Sequence, residues 1–480
     1  MFKDDHLHQA MLEFLGKNEN EMITPEELAK IDILSLRNRD ISSIDGLEDC
    51  INLEVLDLTG NRIEHIHAIE KMNKLTKLRL SRNALQSIEP LKDLQRLTNL
   101  DLSHNEVFPL DLRRLKDLDN LEVLNINNTN VSHIDKLDKL DKLRELHGGV
   151  RSDTFDLSVY AELKNLEELH LPKMWLYDIC KLRGLVKLRV LDVSGNLFSD
   201  LSVLEDFKAL EELNLSNNKY LHDISLLASC KNLKSLQLSN CKVFDIEALR
   251  DLTKLENLNL EYCEIKDLSP IRNLTNLTRL DLGKNRITDI TILEKLDRIE
   301  NLTVDHTYLS DLSFLKNFKE IHELDFHNNM ILDISPLAEC AHLRVLDASN
   351  NWFSNLAPLE NLTELQALKV ANNKVESIAP LANLTELRIL DIYNNVVEDL
   401  SPVQNMMKLI RLRADHNSIM DLAPIQNLTN LVSLTLKANY ISDLEPLIGM
   451  SKLYELRLDA NPLENMEQLE KMQYFEKFTY

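Results

Sequence analysis

Apolar positions along the chain recur in a single frame. LEVLDLTGNRIEHIHAI from Leu53, LTKLRLSRNALQSIEPL from Leu75 and LYELRLDANPLENMEQL from Leu453 share the spacing LxxLxLxxN followed by aliphatic residues three apart, and the frame returns every 22 residues. Its first leucine runs from Ile31 and Leu53 through Leu255, Leu277, Ile299, Ile321 and Leu343 to Leu453, which makes about twenty repeats with the first one degenerate. Only the steps after Leu97, Leu143 and Leu210 depart from that length. Each repeat mixes two periods. The LxL core alternates apolar with polar and predicts a short strand, whereas the aliphatics that follow predict a tight 3₁₀ or helical return.

One such unit cannot enclose a core alone, so neighbours must stack. Parallel stacking at about 4.8 Å pairs every strand edge except at the two ends. The expected fold class is therefore α/β. It is a solenoid, bent into a horseshoe or arc, with a parallel β-sheet on the concave face, short helical or 3₁₀ turns on the convex face and helical caps at both ends. Residues 1–30 are assigned to the first cap, 31–463 to the solenoid and 464–480 to the second cap. At the front, Thr24, Pro25 and Glu27 have the spacing of an N-cap, a first-turn proline and a capping-box glutamate. At the back, Met466, Leu469, Met472, Phe475 and Phe478 recur every three residues and suit an apolar capping turn.

The polar column has a structural task. Asn61, Asn83, Asn105, Asn196, Asn218, Asn285, Asn329, Asn351, Asn373, Asn395, Asn417, Asn439 and Asn461 are placed to bond backbone groups of adjacent loops. Thr129, Cys241, Cys263 and Thr307 stand in the same column, and Cys50, Cys230 and Cys340 share another. These cysteines read as small buried side chains. Pro90, Pro270, Pro336, Pro358, Pro380, Pro402, Pro424 and Pro446 mark the starts of the returns, where a missing N–H is harmless.

Composition narrows the function. Of 480 residues, 55 are basic and 78 acidic, a net charge of −23, so neither nucleic acid nor an anionic membrane is expected as a partner. Nine glycines are too few to suggest a phosphate-cradling loop. The six cysteines form no CxxC pair, which fits a reducing compartment. MFKDDHLHQAMLEFLGKNENE carries acids and histidines where a signal peptide needs a basic flank and an apolar run. A cytoplasmic location is expected, with export lacking a recognisable signal as the alternative. No stretch is apolar enough to insert in a membrane. P-loop, HExxH and GxSxG motifs are absent from the sequence, so no catalytic residue, enzyme activity or cofactor is expected.

On these motifs the chain resembles the bacterial internalin-type leucine-rich repeat proteins. ANNKVESIAPLANLTELRIL from Ala371, HNSIMDLAPIQNLTNLVSL from His416, and ITPEELAKIDILSLRNRDISSIDGLEDCINLEVLDL from Ile23 carry the resemblance. The same 22-residue class includes leucine-rich regulatory subunits of protein phosphatase one. The resemblance implies a non-catalytic module that grips another protein with its concave face and edge. A scaffold or adaptor is the first expectation. An internalin-like virulence factor, secreted or delivered, and a phosphatase-regulatory subunit are the alternatives.

Register supplies the candidate contact residues. Between Leu255 and Leu343 the outward positions read Glu261, Tyr262, Asp281, Lys284, Asp305, His306, Asp325, His327, Asp347 and Asn350, and Tyr393, Arg413, Asp415 and His416 continue the series. The patch is acidic with histidines in it. It is either a solvated face or a binding surface for a basic or tyrosine-presenting protein. Asp305, His306, Asp325 and His327 fall in adjacent repeats at a spacing that matches no metal motif, so no metal is expected. Beside the ladder, Tyr308, Met330 and Trp352 occupy consecutive repeats, with Val396, Tyr440 and Trp175 in the same column. They form a contact patch or fold back over the neighbouring loop. An irregular repeat, 147–163, puts Arg151 in the ladder column and holds two adjacent glycines. It is a hinge, an offered loop or simple repeat decay.

Overall fold

The strands form around the second leucine of the frame. Glu323–Asp325 is representative: Leu324 is buried while the residues on either side project away from the core. The computed structural model describes residues 2–149, 157–464 and 477–479. Packing divides the chain into two compact units, Met1–Leu233 and Lys234–Tyr480.

In the first unit the helix Asp5–Leu15 starts at Asp4, whose carboxylate accepts the Leu7 N–H at 2.8 Å. Thr24 and Glu27 form the expected reciprocal cap of the short helix Pro25–Leu28, with the Thr24 N–H donating to Glu27 Oε2 at 2.9 Å. Three-residue strands then follow from Ile33–Ser35 to Glu212–Asn214, paired in parallel one repeat apart, as Val55 with Lys77 and Leu56 with Leu78. The longer repeat after Leu97 adds a small second sheet in which Leu110–Asp111 pairs with Val131–Ser132.

The irregular repeat is ordered by packing where it is described. Gly148 has φ +83 and lies where a Cβ would meet the Asn127 backbone at 2.5 Å. At Gly149 a Cβ would strike the Tyr160 hydroxyl at 2.1 Å. Tyr160 is fully buried on the short helix Ser158–Ala161 and donates its hydroxyl to Gly148 O at 3.3 Å. Gly149 thus makes room for a buried tyrosine, while Gly148 lets the chain pass close to the backbone of the preceding repeat. Arg151 lies outside the described residues.

In the second unit strands run from Ser235–Gln237 to Glu455–Arg457, and Lys477–Thr479 pairs in parallel with the last of these. Met466, Leu469, Met472 and Phe475 lie outside the described residues. Opposite the sheet stand 3₁₀ turns such as Ser269–Asn273, Ser335–Glu339 and Ala379–Leu381, each with its proline in the first turn. An aspartate two residues ahead accepts the first N–H of many turns: Asp267 from Ser269 at 2.8 Å, Asp333 from Ser335 at 2.8 Å, Asp399 from Ser401 at 2.7 Å.

The asparagine column forms a ladder. Asn105, fully buried, donates through Nδ2 to Leu80 O at 3.0 Å and Leu102 O at 2.8 Å, and its Oδ1 accepts the Leu85 N–H at 3.2 Å. Each side chain therefore closes its own loop and clamps the preceding one. Where the asparagine is replaced, the donor role persists: Cys263 Sγ reaches Leu238 O at 3.0 Å and Thr129 Oγ1 reaches Leu102 O at 2.8 Å. Just before the ladder the backbone turns left-handed, as at Asn328 (φ 53), Asn350 (φ 56) and Asn372 (φ 53), a conformation asparagine tolerates best.

Candidate functional site

Register builds the site in the second unit. The strands Arg279–Asp281, Asn301–Thr303, Glu323–Asp325 and Val345–Asp347 pair so that Asp281, Thr303, Asp325 and Asp347 stand in one row on the sheet face. Two positions further on, Gly283, Asp305 and His327 form a second row, with His306 beside Asp305 in left-handed backbone (φ 50). Gly283 is part of the design of this surface. A Cβ there would lie 2.0 Å from Asp305 Oδ1 and 3.3 Å from Asp281 Oδ1, so its absence lets two carboxylates converge.

Asp305 is buried, 3% exposed, and sits between two imidazoles. His306 Nδ1 lies 2.7 Å and His327 Nε2 3.8 Å from Asp305 Oδ2. The two rings meet edge to face with centroids 5.2 Å apart. His327 Nδ1 is held at 2.6 Å by Asp325 Oδ1, which also accepts the His327 N–H at 3.0 Å. The flanking cations are engaged elsewhere: Lys284 pairs with Glu261, and Lys369 with Asp347 at 3.1 Å. Burial pushes the Asp281 carboxyl up to about 6 despite the Gly283 N–H it accepts, with Glu261 and Asp305 adding repulsion. The hydrogen bond to Asp325 raises the His327 pKa against the pull of its burial, and Asp325, Asp305 and Asp347 add to the rise. The face is thus a carboxylate-rich well containing two imidazoles, able to attract a cation or a basic side chain.

Other expected contact residues lie apart from this cluster. Tyr393 carries the Arg413 guanidinium over its ring at 4.1 Å and meets the His416 ring edge-on at 5.4 Å. Asp415 is buried and accepts the Thr435 hydroxyl at 2.6 Å and the Lys437 N–H at 2.8 Å, so its carboxylate serves the interior. Tyr262 is exposed in left-handed backbone (φ 55). On the edge, Tyr308 is 68% and Trp352 49% exposed, while Met330 is half-buried. Tyr308 also takes a left-handed conformation (φ 62) beside Thr307, one of the ladder substitutes.

Two features escaped the sequence reading. Leu332, 65% exposed, stands two positions beyond Met330, and Met420 and Phe244 hold the equivalent place in their repeats. That column alternates with the one already singled out and could have been read with it. In the first unit His147 and His170 stack at 4.2 Å between centroids, and Glu145 reaches His147 Nε2 at 2.5 Å. The signal was the recurrence of ELH at Glu145–His147 and Glu168–His170, which pair in register.

Family models for leucine-rich repeats match this chain over 29–85, as "Leucine rich repeat", and over 186–229, 253–295, 275–317, 341–383 and 363–405, as "Leucine Rich repeats (2 copies)". Together with the strand, ladder and turn geometry these matches give the chain the leucine-rich repeat solenoid fold. The chain is similar in fold to the receptor kinase HAESA of Arabidopsis, solved with the peptide hormone IDA and the co-receptor SERK1, at 17% identity and TM-score 0.58, covering 99% of this chain and 89% of that one. It is similar to the plant peptide hormone receptor RGFR1, solved with RGF2, at 18% identity and TM-score 0.52, covering 95% and 92%. An internalin from Listeria monocytogenes matches at 23% identity and TM-score 0.40, covering 95% of each chain.

Proposed function

We propose that this chain is a non-catalytic scaffold that binds a partner protein on the sheet face and adjoining loop edge of its second unit. The observation that carries the reading is the continuity of two chemistries within one repeat. Asp305 and His306 lead directly into Thr307 and the exposed ring of Tyr308, and Trp352 extends the apolar edge two repeats away. Exposed aromatics beside a field of charge are the usual makings of a protein contact. The similarly folded HAESA was solved with the peptide hormone IDA and the peptide hormone receptor RGFR1 with RGF2, which supports a binding role for such a fold. The net charge of −23 and the carboxylate well favour a basic or tyrosine-presenting partner surface. A reducing, cytoplasmic setting is part of the proposal, supported by six free thiols, and cell fractionation tests it.

The decisive experiment is affinity enrichment with mass spectrometry, comparing the wild-type chain with a Tyr308→Ala, Trp352→Ala, His327→Ala variant. A protein held by the wild type and lost by a variant of unchanged circular dichroism supports the assignment. Equal capture by both chains moves the contact surface elsewhere.

A further inference from the structure

Among the described residues, two sets of ligating side chains converge: Asp305, His306 and His327, and Asp325, His327 and Asp347, with the ligating atoms of each set within 4.8 Å of one another. They share His327, and its hydrogen bonding separates their roles. Asp325 holds Nδ1 at 2.6 Å, so Nε2 faces the Asp305 side, 3.8 Å from Oδ2. A carboxylate that fixes one imidazole nitrogen and so aims the other is the usual outer support of a histidine metal ligand.

We propose that Asp305, His306 and His327 bind a divalent transition-metal ion of the zinc class, with Asp325 orienting His327. Three observations converge on it. The first is the donor set: two imidazoles with a carboxylate suit zinc, cobalt or nickel, whereas magnesium and calcium take oxygen. The second is spacing. Bonds of about 2.0–2.1 Å to a tetrahedral ion put ligand atoms about 3.3 Å apart, and the separations here, 2.7 Å for His306 with Asp305 and 3.8 Å for His327 with Asp305, straddle that value. Bringing these two separations to that value requires side-chain shifts of about half an ångström, within reach of the exposed His306 ring. The third is charge. Asp305 is a buried carboxylate whose neighbouring ammonium group, on Lys284, is engaged by Glu261, and whose ring partners His306 and His327 are cations only when protonated. A buried anion without a permanent cation is costly, and with both imidazoles neutral a metal ion supplies one.

The ligands come from two consecutive repeats, and His306 is open to solvent, so a fourth position remains for water or for a side chain of a docked protein. The site does not depend on the partner-binding reading, because it is complete within the isolated chain.

Calorimetric titration of the full chain with zinc chloride tests it, with cobalt(II) chloride and visible absorption as a second readout. One saturable site with micromolar affinity is expected, and a four-coordinate cobalt spectrum. His306→Ala and His327→Ala each weaken it at least tenfold, Asp325→Asn weakens it about tenfold through loss of orientation, and His416→Ala leaves it unchanged. His306 is exposed, so its removal keeps the fold, which circular dichroism checks. The absence of saturable binding overturns the proposal. So does undiminished affinity in a His306→Ala, His327→Ala double variant, which would assign the metal to others of the 14 histidines.

Discussion

The Asp4 carboxylate accepts the Ser42 hydroxyl at 2.6 Å across 38 residues of chain, tying the first helix to the return loop of the first repeat. The same carboxylate accepts the N–H of Leu7, so one side chain both caps the helix and docks it. Solenoid ends expose a core that has no neighbour to cover it, and this contact fastens the cover.

Asp4 makes acid stability a test of that role. Burial pushes its carboxyl up, but the Ser42 hydroxyl and the N–H groups of Leu7, Ser42 and Ser43 outweigh it and hold the pKa at about 2, below the ordinary 3.8. A pKa lowered on folding gives stability that is complete above the unfolded value and is lost as pH falls from about 4 towards 2. The contribution is about 2 kcal/mol. Asp4→Asn is expected to lower the melting temperature at pH 7 and to flatten its fall between pH 5 and pH 2. Thermal melts of both chains across that range decide it, and parallel curves would remove Asp4 from the acid response.

The ladder asparagines differ in weight. Asn105→Ala leaves the Leu85 N–H without its partner and takes one of two donors from Leu80 O and Leu102 O, which keep Asn83 Nδ2 and Thr129 Oγ1, a loss of about 1–3 kcal/mol. Asn373→Ala costs less, because Asn373 Oδ1 has no hydrogen-bond partner in the structure. Thermal melts rank the two variants, and faster amide exchange at Leu85 locates the damage in Asn105→Ala. Equal losses would mean that the ladder acts through Nδ2 alone.

Tyr308 occupies left-handed backbone (φ 62) while 68% exposed, so it carries conformational strain and little packing in return. Tyr308→Asn is expected to stabilise the chain by about 0.5–1 kcal/mol. The same variant is expected to lose the captured partner. A melt and a capture experiment on one protein read both effects. A destabilised variant would show that the ring packs over its neighbours after all.

The thiols are graded by burial. Cys50, Cys263 and Cys340 are buried, which pushes each thiol up to about 12, and Cys230 and Cys241 are buried as well. Cys180 is half-buried, with Sγ 3.1 Å from Ser202 Oγ. Native protein treated with a chromogenic disulfide should therefore react at Cys180 alone, and the unfolded chain at all six positions. Peptide mapping after mild alkylation identifies the labelled residue. Rapid labelling of Cys263 would show that its ladder loop opens in the native state.

Much of the scaffold was legible because a repeat states its constraints many times over. The leucines at the first three frame positions, the ladder at Asn105 and its substitutes at Thr129 and Cys263, and the capping box at Thr24 and Glu27 all follow from local spacing. The candidate face was legible only as a list. Register placed Asp281, Asp305, His306, Asp325 and His327 on one surface, but it gave no reason to prefer these over Tyr262 or Asp415. In the sequence Pro270 and Pro336 mark the starts of the returns, while the caps at Asp267 and Asp333 emerge only with the backbone.

The sequence by itself determined the repeat, the alternation within each strand and the identity of the ladder, because these depend on periods of two and of 22 that any reader of the chain can count. Tertiary structure alone decided which polar side chains touch. Gly283 yields the space into which Asp305 and Asp281 turn, and Asp325 chooses the nitrogen that His327 presents to Asp305. Those outcomes depend on side-chain directions between neighbouring repeats, at distances of a few ångströms, and a period in the sequence carries no information at that scale.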